Sequence, residues 1–162
     1  MKTLIITILT VLGIDQLVKF IIKSTMTLYQ SIPAIKGFLN ITYIENSGVS
    51  YGMLGNINHP AKRWILLAIV ALAIAAILTY WYKYRSPKFL YNFSCGLIIG
   101  GALGNFVDRL LFGKITDFIE VYHKSWHFAV FNVADSAISV GVFFFIIFML
   151  IYGEDKNAPR NS

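Results

Sequence analysis

The sequence predicts a membrane protein with an all-α core: four transmembrane helices carrying a small extracytoplasmic β-sheet and loop region. Three observations predict it. The 162-residue chain is 57% apolar and only 14% charged, whereas a soluble domain is nearer half apolar and a quarter charged. Four apolar runs each approach the ~20 residues a helix needs to cross a bilayer core. Asp108, Asp117 and Asp135 fall within residues 100–135, at the borders of the last two runs. An ionisable side chain there costs several kcal/mol unless it is paired or used.

The first run covers about residues 3–22. It opens behind Lys2 as a signal peptide does. It has no A-x-A-like cleavage site and continues through Asp15 and Lys19, so it reads as a retained helix. Asp15 and Lys19 stand at i and i+4 and pair on one face. That pair is a brace for a site rather than chemistry.

The outer segment after it covers about residues 23–63. Phe38 to Ile44 has strand composition and partial alternation. Glu45-Asn46-Ser47-Gly48 follows as a turn-like cluster.

The second run covers about residues 64–82 and the third about 90–111, with Trp64, Tyr80, Trp81, Tyr82 and Tyr91 near their ends. Aromatic residues concentrate at membrane–water interfaces. The short loop between the two runs carries Lys83, Arg85 and Lys88. Its charge places that loop and both termini in the cytoplasm. In the third run Gly96, Gly100 and Gly104 share one helix face, as close helix packing requires. Asp108 continues that face, with Asn105 and Arg109 beside it. Asp108 and Arg109 fit either a cap on the outer end or a contact to substrate.

The second outer segment covers about residues 112–132. Ile115 to Tyr122 reads as a strand, Trp126 to Phe131 as its partner, and His123-Lys124-Ser125 as the turn between. The fourth run covers about residues 133–152. It begins with Asn132, Asp135, Ser136 and Ser139, a polar stripe on an otherwise apolar helix. Asn132 is an N-cap candidate. Capping alone leaves the inward stripe at Asp135 unexplained. The chain is expected to form one integral membrane domain over residues 1–162, with a frayed polar tail from Gly153.

Several function classes are excluded. The net charge of +6 suits anionic lipid headgroups, and no basic stripe with interleaved aromatics suggests a nucleic-acid groove. Cys95 lies in an apolar run with no basic neighbour to form a thiolate. His123 and His127 are four apart, but no HExxH motif is present, so no metal site is expected. No phosphate loop or dinucleotide fingerprint occurs, and no cofactor is implied.

The remaining chemistry is that of carboxylates. Asp108 ends the third span and Asp135 begins the fourth, so both lie at one membrane face. Asp117, on the connecting loop, can fold back beside Asp135. Two close carboxylates in a low-dielectric place share a proton. Such a pair hydrolyses a peptide without a covalent intermediate, one member activating water and the other polarising the carbonyl. The two parts belong to the pair, not to either residue. A small ion-coupled transporter would instead spread its carboxylates over several depths and show repeat symmetry. A purely structural scaffold leaves the polar stripe unexplained.

Five blocks carry a family resemblance: Asp15-Gln16-Leu17-Val18-Lys19, Asn46-Ser47-Gly48, Gly101 through Arg109 (GALGNFVDR), Thr116-Asp117-Phe118-Ile119, and Phe131-Asn132-Val133-Ala134-Asp135. Together, and in this order, they resemble the bacterial lipoprotein signal peptidases (signal peptidase II). The resemblance implies a monomeric inner-membrane aspartic peptidase working among membrane lipids. It implies removal of signal peptides from prolipoproteins, just before a diacylglyceryl-modified cysteine. It makes Asp117 and Asp135 the catalytic dyad. It makes Asn46, Gly48, Asn105, Asp108, Arg109 and Asn132 residues of the substrate site, with Asp15 and Lys19 as a supporting pair. Two positions depart from the family pattern. Val49-Ser50-Tyr51 replaces two alanines and a phenylalanine, and Glu120 stands where aspartate is usual. On this reading the small-residue face of the third span admits the signal helix, and a flexible segment around Asn46 acts as a lid.

Overall fold

A computed structural model describes residues 1–48 and 61–152. Val49, Ser50, Tyr51 and the tail from Gly153 lie outside the described residues. So does most of the segment expected to act as a lid. The elements are α1 (Lys2–Thr25), β1 (Ser31–Ile35), β2 (Leu39–Asn46), α2 (Ala61–Lys83), α3 (Phe89–Phe112), β3 (Ile115–His123), β4 (Trp126–His127) and α4 (Val133–Tyr152). All four helices are long and apolar enough to cross a membrane. Each begins and ends within about three residues of its expected span, the ordinary uncertainty of helix ends.

Helix α3 is the most buried of the four, and its glycines decide what packs on it. A Cβ on Gly96 would stand 2.7 Å from the Thr7 side chain, and one on Gly100 would stand 3.0 Å from Val11. A Cβ on Gly104 would stand 2.5 Å from the Asp15 carboxylate. The glycine face is therefore filled by α1. This corrects the expectation that it admits the signal helix: the small residues let two resident backbones approach. Helix α4 uses a second glycine line, since a Cβ on Gly101 would run into the Ala134 carbonyl.

At the end of the bundle away from the sheet, buried Asn92 ties α2 to α3. It accepts from the Trp81 indole N–H at 2.9 Å and donates to the Ser86 and Lys88 carbonyls at 2.7 and 2.9 Å. Tyr91, Cys95, Ile99 and Leu4 form the apolar core there. At the outer end α3 closes on Gly113, which has φ 73° and donates its N–H to the Arg109 carbonyl. A left-handed residue after the last turn suits glycine, which lacks the Cβ that penalises this region.

Beyond the spans the four strands form one antiparallel sheet in chain order. Three sequence expectations change here. Ser31–Ile35 is an additional edge strand, with every residue exposed. Glu45 and Asn46 are the end of β2 rather than a turn, because they pair with Thr116 and Ile115 of β3. The partner of β3 shrinks to Trp126–His127 plus one bridge at Phe131 to Ile119. The β2–β3 register slips between Ile41 and Ile44, a bulge of the kind that re-aims side chains beside sites. Phe118 and Tyr43 seat the sheet on Ile22 and Met26 at the end of α1.

Candidate active site

The site lies where the C-terminal ends of α1 and α3 and the N-terminal end of α4 meet β2 and β3. Its buried polar residues are Asp15, Lys19, Asn105, Asp108, Arg109, Asp117 and Asn132. Buried charge is tolerable only when paired and hydrogen-bonded, and most of this cluster meets that demand.

The supporting layer comes from α1. Lys19 Nζ is 2.8 Å from Asp15 and 3.5 Å from Asp108, and it donates to Asn105 Oδ1 at 3.1 Å. Asp15 Oδ1 in turn accepts the Ala134 N–H of α4 at 2.9 Å. Asp108 accepts the Thr116 N–H at 2.9 Å, one residue before Asp117. The choice between an Asp108–Arg109 cap and a substrate contact is thereby revised. Asp108 is committed to Lys19, Lys23 and the β3 backbone. Arg109 turns the other way and donates to the Gly48 carbonyl, while its buried Nε has no hydrogen-bond partner among the described residues.

The carboxylates Asp117 and Asp135 are linked through two asparagines. Asn132 Nδ2 donates to Asp117 Oδ1 at 2.7 Å and to Asn105 Oδ1 at 3.1 Å. Asn105 Nδ2 donates to Asp135 Oδ1 at 2.8 Å. Since Lys19 and Asn132 both donate to Asn105 Oδ1, the amide of Asn105 faces Asp135 as a donor. Asn46, at the end of β2, donates to Asp117 Oδ2 at 3.2 Å and accepts the Gly48 N–H at 2.9 Å.

Asn132 also caps α4. Its Oδ1 accepts the Asp135 N–H at 2.9 Å, and Asp135 Oδ2 accepts the Asn132 N–H at 3.2 Å. This is a reciprocal capping box with aspartate in the place of glutamate. The capping reading and the inward stripe are thus one arrangement: the cap fixes the Asp135 carboxylate at the helix N-terminus.

Burial and the neighbouring Asp135 charge push Asp117 up to about 7, although Asn46, Asn132 and Lys19 pull it down. Desolvation outweighing the favourable donors is what lets a carboxyl keep its proton near neutrality. Glu120, farther along β3, behaves oppositely. Burial raises it, but hydrogen bonds from Thr42, Asn40 and His127 outweigh burial and hold it below the usual range. Glu120 therefore clamps β2, β3 and β4 and stands outside the acid pair.

The structure brings every expected site residue to this one region. It adds Gln16, whose amide donates to Asp15, the Gly104 carbonyl and Asp108. Gln16 sits inside the Asp15–Lys19 block, and only its position beside the i, i+4 pair hinted at the role. Among the described residues no cluster of His, Cys, Asp and Glu suits a metal ion.

Fold and site define a multi-pass membrane protein with a buried carboxylate centre at one end of its bundle. Comparison with known proteins makes the class specific. A family profile for signal peptidase (SPase) II matches residues 7–151. A lipoprotein signal peptidase of Geobacter sulfurreducens is 42% identical over 91% of both chains. One from Syntrophus aciditrophicus is 37% identical, over 96% of this chain and 99% of its own. A solved bacterial membrane enzyme, determined in meso at 2.3 Å, superposes with TM-score 0.84 at 31% identity over all of this chain and 96% of its own. The chain belongs to the signal peptidase II family and is a membrane peptidase.

Proposed function

We propose that this protein is an aspartic endopeptidase of the inner membrane, a single integral domain with both termini cytoplasmic. It removes the signal peptide of prolipoproteins, cutting before a diacylglyceryl-modified cysteine, with Asp117 and Asp135 as its dyad. The observation that supports this reading is the coupling of buried Asp117 to half-buried Asp135 through Asn132 and Asn105 at the boundary of the bundle.

In this mechanism the pair holds one proton. Burial and the second carboxylate push Asp117 up to about 7, so the pair keeps that proton near neutrality and its protonated member polarises the scissile carbonyl. The ionised member takes a proton from the attacking water, and the capping box and the Asn105 amide hold Asp135 in place for either part. The tetrahedral intermediate collapses as the proton passes to the leaving amine, and no covalent enzyme intermediate forms. Asn46 and Asn132 orient Asp117. Arg109 presents a donor on the Gly48 side of the site. A lipidated substrate reaches such a centre sideways from the bilayer with its acyl chains still in lipid. The glycine face is filled by α1, so the signal helix packs elsewhere on the bundle.

The test uses purified protein in detergent, given a lipidated and a non-lipidated precursor side by side. The lipidated precursor is cleaved and the other is not. Asp117→Asn and Asp135→Asn each abolish cleavage while the protein still inserts. Cleavage of neither precursor by the wild type, or retained cleavage in either variant, defeats the assignment.

A further inference from the structure

We propose that Arg63 is a positioning residue for the reaction: it fastens the outer end of α2 to the last turn of α3 and so holds the turn that delivers Asp117. The inference rests on the peptidase reading above.

Arg63 lies in the first turn of α2, and its Nη2 donates to the Leu110 carbonyl of α3. The last carbonyls of a helix have no intrahelical partner, and a cation there also meets the negative end of the helix dipole. The rest of the side chain follows the turn. Cδ and Nη1 lie 3.7 and 3.9 Å from where a Cβ on Gly113 would stand, and the guanidinium is 5.5 Å from the exposed Trp64 ring. Its Nε is buried, with no hydrogen-bond partner among the described residues.

That contact is continuous with the site. Leu110 adjoins Arg109, which donates to the Gly48 carbonyl. Two arginines thus fasten the chain before residue 49 and after residue 60 to one turn of α3. The same turn carries Asp108, which grips the Thr116 N–H at 2.9 Å. Gly113 with its φ of 73° makes the bend between them. Asp117 is the next residue along β3. The buried residues of α2 are Leu66 and Leu67, one turn farther along the helix. Releasing Arg63 frees both the α2 end and the bend.

The test compares Arg63→Ala and Arg63→Lys with the wild type and with Asp117→Asn, each as purified full chain in detergent with the lipidated precursor. A lysine still reaches one carbonyl as a point charge, without the planar fork. Arg63→Ala lowers kcat roughly tenfold, as a small misplacement of a reacting group does. KM stays within about twofold, because substrate binding is untouched. Arg63→Lys recovers most of kcat. Amide hydrogen exchange across residues 113–117 quickens in the alanine variant and returns towards wild type in the lysine variant. Wild-type kcat in Arg63→Ala, a lysine variant no better than alanine, or unchanged exchange at 113–117 overturns the inference. Retained cleavage in Asp117→Asn overturns instead the peptidase reading beneath it.

Discussion

Asp117→Asn is expected to abolish cleavage and also to reverse the sign of its effect on stability with pH. Moving the carboxyl from 3.8 to about 7 is roughly three units, or about 4 kcal/mol at 1.36 kcal/mol per unit. Between those values the folded chain binds a proton that the unfolded chain has released. Stability therefore falls as pH rises from about 4 to about 7 and is level above. Asparagine never ionises, so the variant escapes this loss above pH 7 and gains almost nothing near pH 3. Against the gain stands one misplaced donor. Asp117 accepts from Asn46 on one oxygen and from Asn132 on the other. An amide offers a single acceptor oxygen, so one donor is orphaned at a cost of about 1–2 kcal/mol.

The net expectation is a variant about 2–3 kcal/mol more stable than wild type at pH 8 and about 1–2 kcal/mol less stable near pH 3. At roughly 2–4 °C per kcal/mol for a chain of this size, that is an inversion of several degrees in Tm. Thermal unfolding in detergent, followed by near-UV circular dichroism at the two pH values, reads it directly. A variant less stable by the same amount at both values refutes the reasoning, since the Asp117 carboxyl would then carry no burial penalty.

The pH–rate profile of the wild type is expected to fall on its basic side near pH 7, as the pair loses its shared proton; a rate flat to pH 9 contradicts this. Lys19→Met leaves Asp15 and Asp108 buried with their nearest cation gone. Breaking such a pair costs about 3–5 kcal/mol, visible as a large fall in Tm together with lost cleavage. Gly104→Ala drives a Cβ to 2.5 Å from the Asp15 carboxylate. It is expected to cost about 1–3 kcal/mol as overpacking does. Gly13→Ala meets nothing within 4 Å and serves as the control, neutral or slightly stabilising in the same melt.

The spans were legible because a bilayer imposes a length and a composition that few other structures share. The site was legible because charge is rare in such a chain, so each aspartate in or near a span stood out. The misread parts have physical reasons. Ser31–Ile35 contains Pro33 and is fully exposed, so it lacks the alternation a half-buried strand writes into sequence; proline belongs on edge strands. Glu45 and Asn46 have turn composition, yet pairing with β3 extends the strand through them. Trp126 to Phe131 looked like a strand because interfacial aromatics and strand residues are the same residues. The occupant of the glycine stripe could not be read at all. Small residues announce a close approach without naming the partner, and the partner proved to be α1.

That outcome ties the glycines to the chemistry. Gly104 has no side chain, so the Asp15 carboxylate can lie against the α3 backbone. From there Asp15 holds Lys19 on one oxygen and the Ala134 N–H on the other. Lys19 orients the Asn105 amide towards Asp135, and Ala134 precedes Asp135 in the first turn of α4. Asp135 is thus positioned twice from α1, once through an amide and once through its own backbone. Asp117 is positioned from α3, through Asp108 and the Thr116 N–H. The two carboxylates arrive on different elements, a strand and a helix. Their separation is set by helix packing inside the membrane rather than by the loop joining them. On the proposed peptidase reading the bundle is part of the catalytic apparatus, because the α1–α3 approach that glycine permits places the layer from which both acids are held.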